Sequence, residues 1–361
     1  MDFTDIAVVG AGPAGLAAAI EAAKLGVDVT LIDENRQAGG QLFKQIHKFF
    51  GSKMHMAGIR GIDIAHRLLD ESEQAGVRIM LDTVAYGIFD DNRMALVKDD
   101  KRLFLQAKKI ILATGASENA MSFPGWTRPG VMGAGALQTM MNVNRVLPGK
   151  KMLMVGSGNV GLIVSYQALQ AGMEVVAVVE AAPRIGGYGV HASKIRRLGV
   201  PILTSTTVKG VLGGESVERA IITRVDENWN PVSGTERALE VDTVCLSVGL
   251  TPLIELAGMA GCGFKYVSPL GGFVPIHDWN MESNRKALYV AGDISGIEEA
   301  NTALEEGRLA GLSAAESLGV ISSSDANSRK EEIRKRLSEL RQGPFGLMRR
   351  ESKQQLIESC S

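Results

Sequence analysis

The sequence predicts an α/β fold built from two doubly wound, Rossmann-like domains. Residues 6–32 read as strand, glycine turn, helix and strand, and residues 151–179 repeat that order about 146 residues later. Two strands joined through a helix pair in parallel, and a parallel sheet needs helices on both faces. A strand at Leu288–Ala291 and a long helix from about Glu298 to Leu318 predict a return to the first domain.

Hydrophobic periodicity and glycine turns place the elements along the chain. In the first part we expect strands at Ile6–Val9, Val29–Ile32, Val77–Lys98 and Lys109–Ala113, helices at Gly15–Leu25 and Ile62–Ala75, and irregular chain over 36–61. Prolines and glycines over 115–148 mark a crossing between domains. Beyond it we expect strands at Lys151–Val155 and Glu174–Val179, a helix at Val160–Gln170 and further strands over 200–248.

This order predicts a discontinuous first domain, residues 1–120 and 250–321, with a second domain, 121–249, inserted in it. We expect residues 322–361 to form a helical tail. Between residues 329 and 353 the tail has nine Lys or Arg against four Glu, with Ile333, Leu337 and Leu340 at helical spacing. The tail is either an amphipathic helix docked by its apolar stripe or a surface for a partner subunit, which the break over 343–346 suggests.

Composition excludes several classes of protein. A formal charge of −1 over 361 residues gives no reason to expect nucleic acid or an anionic membrane as partner. The longest nearly apolar stretch, 6–20, is too short to span a membrane, and no signal or transit peptide is visible. Three scattered cysteines and the spacing of His47, His55 and His66 predict no metal site. We therefore expect a cytoplasmic protein.

Gly10-Ala11-Gly12-Pro13-Ala14-Gly15 is a GxGxxG motif between a strand and a helix. Alone the motif is weak, because glycine makes up 42 of the 361 residues. Its context is specific, since Asp33 ends the next strand 23 residues after Gly10. The glycines permit a tight turn, close approach of a pyrophosphate and helix–strand packing, and the helix N-terminus attracts the phosphates. We predict a dinucleotide site at which Asp33 accepts hydrogen bonds from ribose hydroxyls.

Three further motifs follow in order: Glu34 with Gly39-Gly40-Gln41, a strand ending in Thr114-Gly115, and Gly292-Asp293 before a helix of small residues. Together they resemble the two-dinucleotide-binding-domain flavoproteins, the superfamily of thioredoxin and glutathione reductases. The resemblance implies FAD in the first domain, with the Gly-Asp turn at its ribityl and phosphate portion. The FAD-site residues that it implies are Gly10, Gly12, Pro13, Ala14, Gly15, Asp33, Glu34, Gly40, Gln41, Ala113, Thr114, Gly115, Gly292, Asp293 and Ala300.

The fingerprint recurs as Gly156-Ser157-Gly158-Asn159-Val160-Gly161, and Glu180 ends the next strand. A carboxylate there favours a free 2′-hydroxyl over a 2′-phosphate, so we predict NAD(H), although Arg184 could soften this preference. The predicted residues are Gly156, Gly158, Asn159, Val160, Gly161 and Glu180, and the resemblance of residues 242–252 to the family's strand and Gly-x-x-Pro turn adds Gly249. The alternative is a domain that keeps its fold but binds another adenine nucleotide, or none.

The disulfide reductases of this superfamily use a cysteine pair that this chain lacks. No cysteine follows the Gly-Gly turn, and Cys245 lies in an apolar strand, which favours a buried side chain. Residues 122–138 instead resemble a subgroup: the α-subunits of sarcosine oxidase, opine oxidase, hydrogen cyanide synthase and dye-linked proline dehydrogenases. Several of these continue into a cysteine-rich iron–sulfur module, whereas this chain has only Cys360 in its tail.

This resemblance implies an FAD-dependent oxidoreductase, an α-type subunit of an amine or amino-acid dehydrogenase or oxidase with a small-molecule substrate. We expect an oligomer in which the partner is a second flavoprotein subunit. Lys44 and His47 are candidate acid–base residues in the segment after the Gly-Gly turn, although hydride transfer does not require one. The alternatives are a stand-alone NADH-dependent reductase that donates to oxygen, a quinone or a carrier protein, and a non-catalytic nucleotide-binding scaffold.

Overall fold

The computed structural model of the chain describes residues 2–343 and 346–358. Two compact units divide the chain. The first unit comprises the residues up to Ser117 and those from Leu250 onward, and the second unit is Glu118–Gly249. Each unit contains a parallel sheet flanked by helices. The predicted fold class, α/β with two Rossmann-like domains, is therefore confirmed.

The N-terminal part of the first unit follows the predicted order. Its elements are β1 (Asp2–Val9), α1 (Pro13–Ala23), β2 (Val29–Ile32), α2 (Gly61–Gln74), β3 (Arg78–Met80), β4 (Val84–Ile88), β5 (Arg93–Lys98), β6 (Lys101–Leu112) and β7 (Ala116–Glu118). The segment between β2 and α2 contains only two short 3₁₀ turns, Gly40–Lys44 and Lys53–His55.

The second unit repeats the strand–turn–helix–strand order. Its elements are β8 (Val131–Gly133), α3 (Ala134–Asn142), β9 (Lys151–Val155), α4 (Asn159–Gln170), β10 (Glu174–Val179), α5 (Gly189–Arg197), β11 (Ile202–Leu203), β12 (Thr206–Leu212), β13 (Arg219–Arg224), β14 (Arg237–Glu240) and β15 (Thr243–Leu246). The parallel sheet has the order β11-β10-β9-β15-β8, and β12-β13-β14 form an antiparallel sheet.

The chain then completes the first unit. The elements are β16 (Leu250–Pro252), α6 (Glu255–Met259), β17 (Phe264–Val267), β18 (Gly272–Pro275), β19 (Leu288–Val290), α7 (Ala300–Ser317), α8 (Ser323–Leu340) and α9 (Leu347–Glu358). The strands β3-β2-β1-β6 and β19 are parallel, while the first half of β6 also pairs with β5 in an antiparallel ladder.

Two glycines of α7 allow this helix to pack directly on α1. A Cβ at Gly307 would lie 2.1 Å from the Ala14 carbonyl oxygen, and one at Gly311 would lie 2.3 Å from that of Ala18. The contact is therefore backbone against backbone, which only glycine permits. It fixes the first turn of α7 beside the first turn of α1, where the site is found.

The two tail helices pack on the first unit. In α8, the predicted stripe residues Ile333 and Leu337 are buried in the main core, and Leu340 is half-buried. In α9, Leu356 is buried with Leu270 and Val274. Two residues of the predicted break over 343–346, Pro344 and Phe345, lie outside the described residues, as does Cys360. Within the described ranges, no helix is both long and apolar enough to cross a membrane.

Candidate functional site

The glycine turn of the first unit needs two glycines for steric reasons. Gly10 has φ +100°, and a Cβ there would lie 2.2 Å from the Ala113 carbonyl oxygen. A Cβ at Gly15 would lie 1.8 Å from the Gly10 carbonyl oxygen. The turn between β1 and α1 is therefore pressed against the end of β6, which is the geometry that the fingerprint predicts.

Gly12, in contrast, faces open space. It precedes α1 with φ −76°, no atom lies within 4 Å of where its Cβ would be, and no side chain caps the helix. Pro13, which has no N–H, begins the helix, and Ala14 follows it. The remaining N–H groups of the first turn are available to an anion. This open cradle fits the pyrophosphate of a dinucleotide.

Asp33 lies beside the glycine turn and has a structural role there. Its Oδ2 accepts a hydrogen bond from the Ala11 N–H at 2.6 Å, and Oδ1 accepts from the backbone and side-chain N–H groups of Asn35, both at 2.8 Å. Each carboxylate oxygen can accept more than one hydrogen bond, so ribose recognition remains open to it. Glu34 is exposed.

The Gly39-Gly40 turn lies against the same place. Gly39 donates its N–H to the Ala11 carbonyl at 2.7 Å, and a Cβ at Gly40 would lie 2.8 Å from the Gly12 Cα. Gln41 is exposed beside them. The Thr114-Gly115 turn follows Ala113: Gly115 has φ +76°, and the Thr114 hydroxyl donates to the Leu253 carbonyl at 2.7 Å.

The Gly292-Asp293 turn also reaches the glycine turn. Gly292 has φ +76°, and its Cβ would lie 2.8 Å from the Ala14 Cβ. Burial raises the pKa of the Asp293 carboxyl from 3.8 to about 6, with a further contribution from the Glu306 charge. Ala300 begins α7 beyond this turn. The predicted segments of the first unit therefore converge on one cradle at the start of α1.

The buried carboxylate that supports this turn is not among the residues predicted from the sequence. Glu306, 2% exposed, accepts the Gly292 N–H at 3.0 Å and the Ser295 hydroxyl at 2.9 Å on Oε2. A glutamate in a helix of small residues was the available signal, because a charged side chain facing a core needs a partner.

Lys44 and His47 lie on the segment between β2 and α2, and both are half-buried. The His47 ring stacks on Phe49 with centroids 5.7 Å apart. A different histidine of this segment is buried: His55 Nε2 lies 3.2 Å from Glu305 Oε1, and its Nδ1 lies 3.0 Å from the Ser52 hydroxyl. The acid–base role of Lys44 and His47 stays a prediction.

The glycine turn of the second unit has the same construction. A Cβ at Gly156 would lie 2.1 Å from the Ser247 carbonyl oxygen, and one at Gly161 would lie 2.3 Å from that of Gly156. Gly158 precedes α4 with φ −63°, no side-chain cap and open space around its Cβ position. Val160 in the first turn is 44% exposed. The second unit therefore presents a second open helix N-terminus.

Glu180 supports this turn as Asp33 supports the first. Its Oε2 accepts from the Ser157 N–H at 2.9 Å and hydroxyl at 2.7 Å, and Oε1 accepts the Ala182 N–H at 2.9 Å. Asn159 Oδ1 accepts the Tyr188 N–H at 2.8 Å. Gly249 has φ +111°, and its carbonyl accepts the Asn119 N–H at 3.0 Å.

A second Gly-Gly turn, which the sequence analysis overlooked, covers the second cradle. A Cβ at Gly187 would lie 2.9 Å from the Asn159 nitrogen, and one at Gly186 would lie 3.7 Å from the Gly158 Cα. Gly186 follows Glu180 by six residues, and Gly39 follows Asp33 by six. The signal was therefore present in the sequence, as a longer internal repeat than the glycine fingerprint alone.

Both cysteines in the described part of the chain are buried. Burial raises the pKa of the Cys245 thiol well above its ordinary value, and the Glu118 charge adds to the shift. Burial also raises the pKa of the Cys262 thiol. Neither thiol is therefore activated as a thiolate. Among the described residues, no cluster of three or more His, Cys, Asp or Glu could hold a metal ion.

The chain is similar to components of several heteromeric enzymes. It is 28% identical over 343 residues to the A subunit of opine oxidase from Agrobacterium tumefaciens (strain Ach5), covering 91% of this chain and 68% of the relative. It is 28% identical over 361 residues to the HcnB subunit of hydrogen cyanide synthase from Pseudomonas aeruginosa, covering 95% and 77%. With the alpha subunit of sarcosine oxidase from Rhizobium meliloti the identity is 29% over 316 residues, covering 83% and 28%.

Solved structures have the same fold. L-proline dehydrogenase from P. horikoshii matches 93% of this chain and 59% of its own, with a TM-score of 0.70 and 25% identity. Thioredoxin reductase from T. acidophilum matches 88% and 99%, with a TM-score of 0.72 and 20% identity. The profile of the pyridine nucleotide-disulphide oxidoreductases matches residues 4–307. The chain therefore belongs to the pyridine nucleotide-disulphide oxidoreductase family and is an FAD-dependent oxidoreductase.

Proposed function

We propose that the chain is the α-type subunit of an amine or amino-acid dehydrogenase or oxidase, with FAD in the first unit and NAD(H) in the second. The similarity to the opine oxidase component and to HcnB, over nine-tenths of this chain or more, carries the proposal. Sarcosine and proline, which two other matches name, each have C–H bonds next to nitrogen. The chain spans 68% of the opine oxidase relative and 28% of the sarcosine oxidase relative, so the whole enzyme's activity is part of the proposal.

The residues of the first unit suit FAD. The open cradle at Gly12 and the free N–H groups of α1 would hold the pyrophosphate, and the Gly292-Asp293 turn would hold the ribityl chain. Bound FAD supplies the hydride chemistry, accepting two electrons and a proton from a C–H bond next to nitrogen or from NADH. The protein's task is then to bind and orient, which agrees with a site rich in backbone donors.

The residues of the second unit suit NAD(H). The charge of Glu180, at the end of β10, would disfavour a 2′-phosphate, and Gly158 offers the second phosphate cradle. Electrons would then pass between this chain and a second flavoprotein subunit that oxidises the amine. If the chain is instead a stand-alone NADH-dependent reductase or a non-catalytic scaffold, the isolated chain should react differently with NADH and amines.

The test is an anaerobic titration of the purified, FAD-loaded chain, first with NADH and then with sarcosine and proline. We expect NADH to bleach the flavin and the amines to do so only when a partner subunit is present. Gly158→Ala should slow the reduction by NADH at least about tenfold, which corresponds to about 1.4 kcal/mol. Gly189→Ala is the matched control, because Gly189 is exposed and has no atom near its Cβ position.

Each rival reading has its own outcome. Turnover with NADH and oxygen or a quinone at a rate that no partner increases would favour the stand-alone reductase. A tightly held flavin that neither NADH nor any amine bleaches, with or without the partner subunit, would favour the scaffold. Bleaching by an amine without a partner would place amine oxidation in this chain itself.

A second candidate for the second unit is another, permanently bound adenine nucleotide. The Gly186-Gly187 turn favours this candidate. It lies close to Gly158 in the same way that the Gly39-Gly40 turn lies close to Gly12 in the first unit, where we place the permanently bound FAD. Denaturing the purified protein and identifying the released nucleotides decides between the two. Exchangeable NAD(H) supports the first candidate, and a retained nucleotide other than NAD(H) supports the second.

A further inference from the structure

A buried lysine connects the C-terminal helix to the first turns of α7. Lys353 of α9 is 2% exposed, and its ammonium donates to Glu306 Oε1 at 2.6 Å and to the Ser295 hydroxyl at 2.8 Å. Lysine is almost never fully buried unless it is paired, because an isolated ammonium loses its hydration. The burial of Lys353 therefore depends on its ion pair with Glu306.

The carboxylate that binds Lys353 also binds the Gly292-Asp293 turn. Oε1 of Glu306 receives the ammonium, while Oε2 receives the Gly292 N–H at 3.0 Å. Burial alone would raise the pKa of the Glu306 carboxyl, but the Lys353 and Arg341 charges lower it below its ordinary value. Glu306 is thus held ionised, as an acceptor for the Gly292 N–H.

Arg341, at the end of α8, joins the same network. Its guanidinium donates to both oxygens of Glu298, at 2.9 Å from Nε and 2.6 Å from Nη2, and to Glu306 Oε1 at 2.5 Å. The Glu298 N–H in turn lies 3.4 Å from Asp293 Oδ1. The tail therefore supports the Gly292-Asp293 turn through Glu306 on one side and Glu298 on the other.

We propose that Lys353 and Arg341 are positioning residues for FAD: the C-terminal helices set the geometry of the Gly292-Asp293 turn through Glu306 and Glu298, and FAD affinity depends on them. The inference rests on the placement of FAD in the first unit. In the alternative, the two cations only fasten the tail, and FAD binding is indifferent to them.

Lys330 provides a matched control, because it is a second buried lysine of the tail. It is 2% exposed, pairs with Glu316 and donates to Asn280 Oδ1 at 2.9 Å. Glu316 is ten residues beyond Glu306 on α7, about 15 Å along the helix. Lys330→Met thus removes a buried lysine and its ion pair with the partly exposed Glu316 at the far end of the same helix.

The experiment compares the full-length wild type, Lys353→Met and Lys330→Met as apoproteins. We expect Lys353→Met to raise the FAD dissociation constant about tenfold, because Glu306 loses the charge-assisted hydrogen bond that fixes it beside the Gly292 N–H. Hydrogen–deuterium exchange should also speed up in the peptide that contains Gly292. Lys330→Met should lower the stability comparably but leave the FAD dissociation constant and the exchange rate of the Gly292 peptide near those of the wild type.

Equal effects of the two substitutions on FAD affinity, or no effect of Lys353→Met, would overturn the proposal. If Lys353→Met does not fold, Ser295→Ala replaces it, because this change removes one hydroxyl from the network. We then expect a smaller loss of FAD affinity in the same direction, and unchanged affinity would overturn the proposal. A wild type that does not bind FAD through the first unit would refute the placement of FAD, and this inference would fall with it.

Discussion

Gly307 and Ala14 are in backbone contact: a Cβ on Gly307 would lie 2.1 Å from the Ala14 carbonyl oxygen. The helix that follows the Gly292-Asp293 turn is thereby pressed on the helix that begins at the glycine turn. Both helices contribute residues to the main core, so a side chain at Gly307 would force two closely packed backbones apart.

We predict that Gly307→Ala lowers the free energy of unfolding by about 1–3 kcal/mol, the usual cost of overpacking a core. Gly258→Ala in α6 is the control, because its Cβ would meet Phe264 at an ordinary 3.7 Å. Alanine should be neutral or stabilising there, given its higher helix propensity. Urea denaturation of both variants measures the difference. A Gly307→Ala protein as stable as the Gly258→Ala protein would contradict the backbone contact between α7 and α1.

Asp293 makes stability fall as pH rises. Its folded-state pKa is raised from 3.8 to about 6, first by burial, so the native state holds a proton that the unfolded state has lost between these values. Its contribution is complete below pH 3.8 and is lost as pH rises through 6. We expect Asp293→Asn to become more stable relative to wild type, by about 1–3 kcal/mol, between pH 4 and pH 7.

The test is to measure the free energy of unfolding of the wild-type and Asp293→Asn apoproteins between pH 4 and pH 7. The same measurement on wild-type protein with saturating FAD serves as a further comparison. A difference between the two proteins that does not vary with pH would show that the Asp293 carboxyl titrates normally.

His277 makes stability fall as pH decreases, the opposite of the pH dependence expected from Asp293. Burial, helped by the Lys353 charge, lowers the pKa of its imidazole from 6.5 to about 4. The ring is neutral in the native state, with Nδ1 at 2.9 Å from the Pro275 carbonyl. Its contribution is therefore complete above pH 6.5 and is lost as pH falls through 4, up to about 3 kcal/mol in all.

His277→Gln keeps a donor for the Pro275 carbonyl but does not titrate. We expect the wild type to lose stability relative to this variant as pH falls from 7 to 4, in thermal unfolding followed by circular dichroism. Parallel pH profiles for the two proteins would be inconsistent with a neutral, buried imidazole.

Glu180 should set the preference between NADH and NADPH. We predict that Glu180→Gln weakens NADH binding about tenfold, the effect of losing one hydrogen bond to a charged group, and narrows the gap between NADH and NADPH. Titration with each nucleotide gives both dissociation constants. Glu174→Gln, an exposed residue at the start of β10, is the control. Equal affinities of the wild type for the two nucleotides would refute the role of the carboxylate.

Local signals in the sequence were sufficient for much of the fold. Val29–Ile32, Lys151–Val155 and Glu174–Val179 are strands with the predicted bounds, because short apolar runs between turn residues define a buried parallel strand. The predicted helix ends are less accurate than the strand bounds. The helix α1 begins at Pro13, two residues before the predicted start. A proline is favourable in the first turn of a helix, and Pro13 is therefore the sequence signal for the earlier start.

The support of the site was beyond sequence reasoning. Glu306 and Lys353 are 47 residues apart, and only the tertiary fold brings the ammonium to the carboxylate. The sequence predicts a tail helix docked by its apolar stripe; the structure also buries Lys330 and Lys353 against α7 and its neighbours. The sequence predicts that Asp33 and Glu180 recognise ribose, and the structure shows that their carboxylates also hold the glycine turns. Such contacts depend on loop geometry that no local pattern encodes.

The central claim is that FAD binds in the first unit, although the second unit repeats its construction. Gly12 and Gly158 each have open space where a Cβ would be and an ordinary negative φ, so alanine fits both folds and protrudes into the phosphate cradle. The decisive measurement is the FAD content and affinity of wild type, Gly12→Ala and Gly158→Ala after purification and reconstitution. We predict one FAD per chain, weakened at least about tenfold by Gly12→Ala and unaffected by Gly158→Ala. If Gly12→Ala keeps the FAD content and affinity of the wild type and Gly158→Ala loses FAD, the result would contradict the claim.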